Sequence, residues 1–495
     1  FSHNIINFTT NEQSMKGIKV TKHGQISIIN NQILRTKGES AFYMTDSDGD
    51  ELNSESVIFN YNTIEECANV KNGIFNIKKY YDFNIDHNII KNCIIYQYAS
   101  NIDMQNSKSS GKFFKWTNLT SIGCESRSQT GGGLGLLLTF EGNEGTFTLE
   151  DCYFQRNKAG TIKSTSNNAQ GFGGAFAAGY SSNGNMELFV NNCQFINNQS
   201  PNKGGALSIQ SGRPAKIYNC SFIGNTATNG GAAIYIYPYK DGNKNDFLPQ
   251  CTITKCNFET NQDQSNNGHA IYLEYNTNCQ TILTIDQNCY FKDNGNETCK
   301  GNTISIDSPY FTISDSIIEF TSSIKSTSGL LVQSNNINSN INNCQFINTV
   351  GETFGAVQTI VQNNHNQLSM QDCTFDNCAG NNAPTFILSS FYQILFERNT
   401  IKNCIYQQNL GKISITEALT KPISQIISGS KFIDNSQTSS DESYNETSGL
   451  LIEGTNSQIL IKYEFCEFER NNVTTGCGGS ICICSRLPTS KPNLL

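Results

Sequence analysis

Nineteen cysteines and one short acidic run, Asp46 to Glu51 (DSDGDE), are the residues of this 495-residue chain whose types most readily do chemistry. Thiols can bridge, bind metal, or pack as small apolar groups. Zinc is not expected, because no paired C-x-x-C knuckles occur and the five histidines are scattered. Carboxylates at Asp46, Asp48 and Asp50 around a glycine can wrap a calcium ion, yet Val57 stands where an EF-hand-type loop closes on glutamate. A solvated acidic turn is therefore expected there, and no cofactor. Polysaccharide chemistry needs two or three carboxylates on neighbouring layers of one face. The chain instead places Gln194, Ser221, Asn257, Tyr290 and Gln345 beside its most regular motif, and these are poor acids and bases.

That motif shows what must position everything else. Residues 191–237 contain one unit written twice, C-x-F-x-x-N followed by a polar turn, Gly-Gly-Ala and an alternating apolar segment. Cys193 and Phe195, like Cys220 and Phe222, lie two apart, so in extended chain they share a face. Each unit reads as two short strands. So small a unit cannot bury its own apolar face, so copies must stack, which predicts a β-solenoid. The spacing runs from 26 residues (Ile64 to Ile90) to 41 (Cys152 to Cys193), giving about fifteen coils. Phe154, Phe195, Phe222, Phe258, Phe291, Phe346, Phe375, Phe432 and Phe468 make one inward column, continued by Ile33, Ile64 and Ile90. Asn157, Asn198, Asn225, Asn261, Asn294, Asn435 and Asn471 make a second, expected to hydrogen-bond from coil to coil and fix register. The glycine pairs at 173–174, 204–205 and 230–231 fit backbone that a Cβ would obstruct; no lysine or helix follows as a phosphate cradle requires.

The paired FxxN and GGA(I/L/V) signatures resemble the repeats of polymorphic outer-membrane proteins, and the likeness covers nearly the whole chain. The resemblance implies a single right-handed parallel β-helix and a surface or adhesive role, and it carries over no catalytic residues. On this reading residues 1–16 are a lead-in or capping segment, 17–485 the β-helix and 486–495 a linker.

Eight cysteines (Cys152, Cys193, Cys220, Cys256, Cys289, Cys344, Cys373 and Cys466) take one inward position and read as a packed thiol column. Cys378 with Cys404, and Cys67 with Cys93, share an offset three residues past the Phe or Ile position in consecutive coils, and are predicted as disulfides. Cys482 and Cys484 alternate with Ile481 and Ile483, should face outward, and suggest a further bond.

The net charge of −8 argues against a nucleic-acid partner, and no apolar run is long enough to span a bilayer. No signal peptide is visible at Phe1; sequons at Asn7, Asn118, Asn219, Asn296, Asn445 and Asn472 are the candidate N-glycosylation sites and suggest secretion. A seventh, Asn198, falls in the inward column and is disfavoured. Polar loops are expected at 159–171, 238–249 and 436–448, the second with Tyr235, Tyr237 and Tyr239 as the contact candidate. The expected role is a secreted or cell-surface structural glycoprotein, an adhesin, coat component or filament subunit. Its expected partners are other surface proteins, copies of itself, or glycans. The competing readings are a β-helix polysaccharide lyase or hydrolase, and a glycan-binding module without turnover.

Overall fold

The structure is a computed structural model. It describes the chain except residues 8–17, 22–24, 39–41, 46–55, 70–73, 79–81, 96–99, 104–111, 128–135, 140–144, 161–170, 180–185, 211, 213, 239–248, 266, 277–280, 296–300, 322–326, 335–336, 352–353, 362–366, 381–383, 390–392, 407–408, 416–422, 438–447, 455–458, 473–477 and 486–495. The acidic run with Asp46, Asp48 and Asp50 lies outside the described residues, as do Tyr239, Asn296, Asn445 and most of the three long loops.

The protein is all-β, a parallel β-solenoid of about fifteen coils. It divides into two compact units, Phe1–Gln264 with Ala270–Thr281, and Ser265–His269 with Ile282–Leu495. Within each, successive coils pair in parallel and in register. In the first unit Gln194–Ile196 pairs with Ser221–Ile223, and that with Asn257–Glu259, so that Phe195, Phe222 and Phe258 fall in one file. In the second, Gln345–Ile347 pairs with Thr374–Asp376.

Each coil carries three main strands, where the spacing predicts two. One belongs to the Phe sheet and one follows the glycines. The third precedes the cysteine, as in Met186–Asn191, Ala215–Tyr218 and Gln250–Thr254. Within each unit, inward residues of the three sheets fill a shared core. Phe195 stacks on Phe222 at 4.8 Å and 1°, and Phe222 on Phe258 at 5.0 Å and 5°. The second unit repeats this at Phe346–Phe375, 5.2 Å, and Phe432–Phe468, 4.7 Å.

The corners explain the rest of the motif. A residue in the left-handed region stands on each side of the Phe strand: Asp151 and Arg156, Asn192 and Asn197, Asn219 and Gly224. At each corner a neighbouring side chain hydrogen-bonds to a backbone carbonyl. Behind the strand, the asparagine amide does so, from Asn198 to the Phe154 carbonyl and from Asn225 to that of Phe195, and it also reaches the next coil. Asn157 Nδ2 donates to Asn198 Oδ1 (3.1 Å), Asn198 to Asn225 (3.0 Å) and Asn225 to Asn261 (3.0 Å). Ahead of the strand the thiol does the same work: Cys193 Sγ lies 3.2 Å from the Asn191 carbonyl and Cys220 Sγ 3.2 Å from that of Tyr218. The cysteine column is thus a column of donors as well as of small side chains. Burial pushes the thiols of Cys152, Cys193 and Cys220 well up, and Cys251 up to about 12, so they stay protonated.

The N-terminal coils exchange the two corners. Asn31, Asn62 and Asn88 occupy the cysteine position and form a second amide ladder, at 3.0 and 3.2 Å. Cys67, Cys93 and Cys124 take the asparagine position. This corrects the disulfide expectation: Cys67, Cys93, Cys378 and Cys404 are buried free thiols. They are not at a loosened strand exit but in the inward file, each held toward the carbonyl two residues back, as Cys93 Sγ to Lys91 O at 3.2 Å. Side chains stacked parallel in adjacent coils suit the bridge dihedral poorly. The side chains of Cys482 and Cys484 lie outside the description.

Serine fills the same role as cysteine at Ser316 and Ser430, whose hydroxyls donate to Ser314 O (2.8 Å) and Ser428 O (3.2 Å). Cys220→Ser should therefore be nearly neutral. Cys220→Val, which keeps the apolar volume but removes the donor and the acceptor of the Cys193 N–H (3.4 Å), should cost about 1–3 kcal/mol in chemical denaturation. Equal stability of the two variants would return the column to plain packing.

The glycine pair allows close stacking of backbones. Gly204 has φ +70°, and a Cβ on Gly205 would sit 2.3 Å from the Ala232 carbonyl. At the opposite extreme, Phe465 holds φ +55° while 91% exposed, a bulky side chain where most other coils place Asn, Asp or Gly. Phe465→Asn should raise the unfolding free energy by about 1 kcal/mol, seen as a higher denaturation midpoint with an unchanged m-value, since strain is relieved and no packing lost. A drop in stability would mean that the ring is held by something.

Candidate ligand-binding face

The third strand sets an outward face in the first unit. Along Met186–Asn191 and Ala215–Tyr218, Leu188, Val190, Ala215 and Ile217 point into the core, so Phe189, Asn191, Lys216 and Tyr218 point out. Parallel register aligns them in two rows. Lys115, Thr148, Phe189 and Lys216 form one; Asp86, Thr117, Glu150, Asn191 and Tyr218 form the other. Between the rows lies a shallow open depression of 490 Å³ lined by Lys115, Thr148, Glu150, Phe189, Asn191, Lys216 and Tyr218.

Its electrostatics are local pairings. Lys115 Nζ lies 2.6 Å from Glu150 Oε2, and Asn191 Nδ2 donates to Oε1 at 3.3 Å. The hydrogen bond from Lys115 holds the Glu150 carboxyl below the usual range. At Asp86, burial works to raise the carboxyl, but donors on Asn118, His87 and Thr117 outweigh it and the net direction is down. Asp86 and Glu150 share a row two coils apart, about 9.6 Å at the β spacing. Both are shifted toward the ionised form, the direction opposite to that of a general acid. Lys216 Nζ sits 5.2 Å above the Phe189 ring, and Lys255 Nζ donates to the Tyr218 hydroxyl at 3.1 Å, 5.2 Å from the centre of that ring. Tyr218 is 43% exposed.

Of the tyrosines expected to make contacts, Tyr235 packs between coils instead. Tyr235 is 3% exposed; its hydroxyl donates to the Glu274 carboxylate, which also pairs with Lys203. The Lys203 ammonium lies 4.9 Å over the Tyr235 ring and Phe172 stacks on it at 6.0 Å. These side chains clasp neighbouring coils. Burial, then the Glu274 charge, raises the Tyr235 hydroxyl far above its ordinary value.

Of the sequons, Asn219 and Asn472 are exposed at corners, with Asn219 Nδ2 3.1 Å from Asn192 Oδ1. Asn118 is half-buried and bonded to Asp86 at 3.0 Å. Asn198 is buried in the ladder. The Asn7 side chain is outside the description. Among the described residues no cluster of His, Cys, Asp and Glu could hold a metal ion, and no helix is long and apolar enough to cross a membrane.

Fold and face together define a parallel β-solenoid with an outward aromatic and cationic surface. No protein-family model, no curated protein and no solved structure matches the chain.

Proposed function

We propose that this is a secreted or surface-displayed structural protein that works by contact, as an adhesin, coat component or filament subunit. The observation that carries the reading is the outward face itself: Phe189, Tyr218, Lys216 and Lys255 are presented from a coil stack whose register is fixed by buried amide ladders. A surface held so rigidly loses little freedom on binding. The carboxylates beside it are occupied as ion-pair and hydrogen-bond acceptors. The likeness of the FxxN and GGA repeats to those of polymorphic outer-membrane proteins supports the same role, as do the exposed sequons at Asn219 and Asn472. Immunogold imaging of the source cells, run beside a reducing-sugar assay on the purified chain, tests it. A coat, fibre or surface patch is expected, with no sugar release. Confinement inside the cell, or depolymerised polysaccharide, would overturn it.

A further inference from the structure

Two ammonium groups on the outward face have ring partners but no carboxylate. Lys216 and Lys255 take part in no ion pair among the described residues; Lys216 lies over the Phe189 ring at 5.2 Å, and Lys255 donates to the Tyr218 hydroxyl at 3.1 Å. The nearby acids are engaged: Glu150 with Lys115 and Asn191, and Asp151 with Asn192. Glu187 lies on the same strand, two residues before Phe189 and beyond the depression. Between and beside these cations are a half-open phenol ring, the flank of Phe189, and the polar groups of Thr148 and Asn191. The lining comes from four successive coils, so the depression runs along the stack for about 14 Å at a coil spacing near 4.8 Å.

Resting on the contact reading above, we propose that this depression binds an extended anionic polysaccharide. The apolar C–H face of a sugar ring packs on Tyr218, its hydroxyl groups meet Asn191 and Thr148, and its acidic substituents pair with Lys216 and Lys255. Aromatic rings give flat apolar contact at small entropic cost, and cations already held, Lys216 over a ring and Lys255 at a phenol hydroxyl, are positioned for an anion before it arrives. A sugar polymer fits better than a nucleic acid, because two cations on a chain of net charge −8 do not make the basic stripe that tracks a phosphate backbone. The acidic substituent is a carboxylate or a sulfate.

The test uses the full chain in calorimetric titrations against four probes: oligogalacturonate, its methyl ester, dextran sulfate and a single-stranded oligonucleotide. Saturable binding of oligogalacturonate, lost on esterification, assigns a carboxylated chain; binding of dextran sulfate in its place assigns a sulfated one. Either must weaken by about tenfold or more in K216Q/K255Q and in Y218A, with melting temperatures unchanged. No binding of either sugar, binding indifferent to these substitutions, or tighter binding of the oligonucleotide would overturn the proposal. These outcomes are separable from the location test. A surface protein that ignores both sugars loses only this inference, and an intracellular protein that binds them loses only the contact role.

Discussion

Asn198→Leu is expected to destabilise the first unit by about 3–6 kcal/mol, because one buried amide serves four other groups. Asn198 is 0% exposed. Its Oδ1 accepts from the backbone N–H of Asn157 at 3.0 Å and from the Asn157 amide at 3.1 Å. Its Nδ2 donates to the Phe154 carbonyl at 3.0 Å and to Asn225 Oδ1 at 3.0 Å. Leucine fills the space and satisfies none of them, and water cannot enter. The equivalent change at Asn471 removes similar bonds, an acceptor for Asn435 and a donor to Phe432 O at 2.8 Å. There the site is half-exposed and water can replace the amide, so the loss should be well under half as large. In a coil stack the damage should be local. Hydrogen exchange should therefore accelerate most in residues 153–157 and 194–198, with the second unit unaffected. Comparable losses for Asn198→Leu and Asn471→Leu would show that the ladder is not what the asparagines are for.

How much of this was legible depended on whether a position tolerates substitutes. The Phe file and the asparagine ladder of residues 152–261 could be read directly, since a stacked ring and a coil-to-coil amide admit few replacements. The corner ahead of the Phe strand needs only a small donor to a carbonyl, so Cys, Ser and Asn all serve. That latitude hid the exchange at Asn62 and Cys67 and made Cys67, Cys93, Cys378 and Cys404 look like a separate set fit for bridging. The third strand asks only for alternation, as in Ala-Lys-Ile-Tyr at 215–218, and carries no signature residue. Its outward residues were missed with it. Lys216 and Tyr218 become neighbours of Lys115 and Glu150 only when coils stack, and no spacing along the chain announces that. Tyr235 was visible as an aromatic in a promising place. Its burial depends on Glu274, 39 residues later, and Lys203, 32 residues earlier.

Phe222→Ala should cost about 3–5 kcal/mol, the range for emptying a packed aromatic site, with Phe222→Leu recovering most of it. The ring lies between Phe195 at 4.8 Å and Phe258 at 5.0 Å, so truncation strips both neighbours of a stacking face. One coil already has a small residue in this file: Ser121 is paired in register with Phe154 and is 0% exposed. It is not a precedent for Phe222→Ser. The Ser121 hydroxyl donates to Asn157 Oδ1 at 3.0 Å, an oxygen whose other partner is the Cys124 N–H. That lone pair is open because Cys124, rather than asparagine, occupies the ladder position of the Ser121 coil. At Phe222 the matching oxygen, Asn261 Oδ1, already takes both the N–H and the amide of Asn225 at 3.1 and 3.0 Å. A serine there would bury a hydroxyl with no such acceptor, so Phe222→Ser should be at least as destabilising as Phe222→Ala. The double change Phe222→Ser with Asn225→Cys recreates the pairing found at Ser121 and Cys124, and should lose less than the sum of its parts in a double-mutant cycle. Strict additivity would mean that the serine and the thiol at 121 and 124 are unrelated.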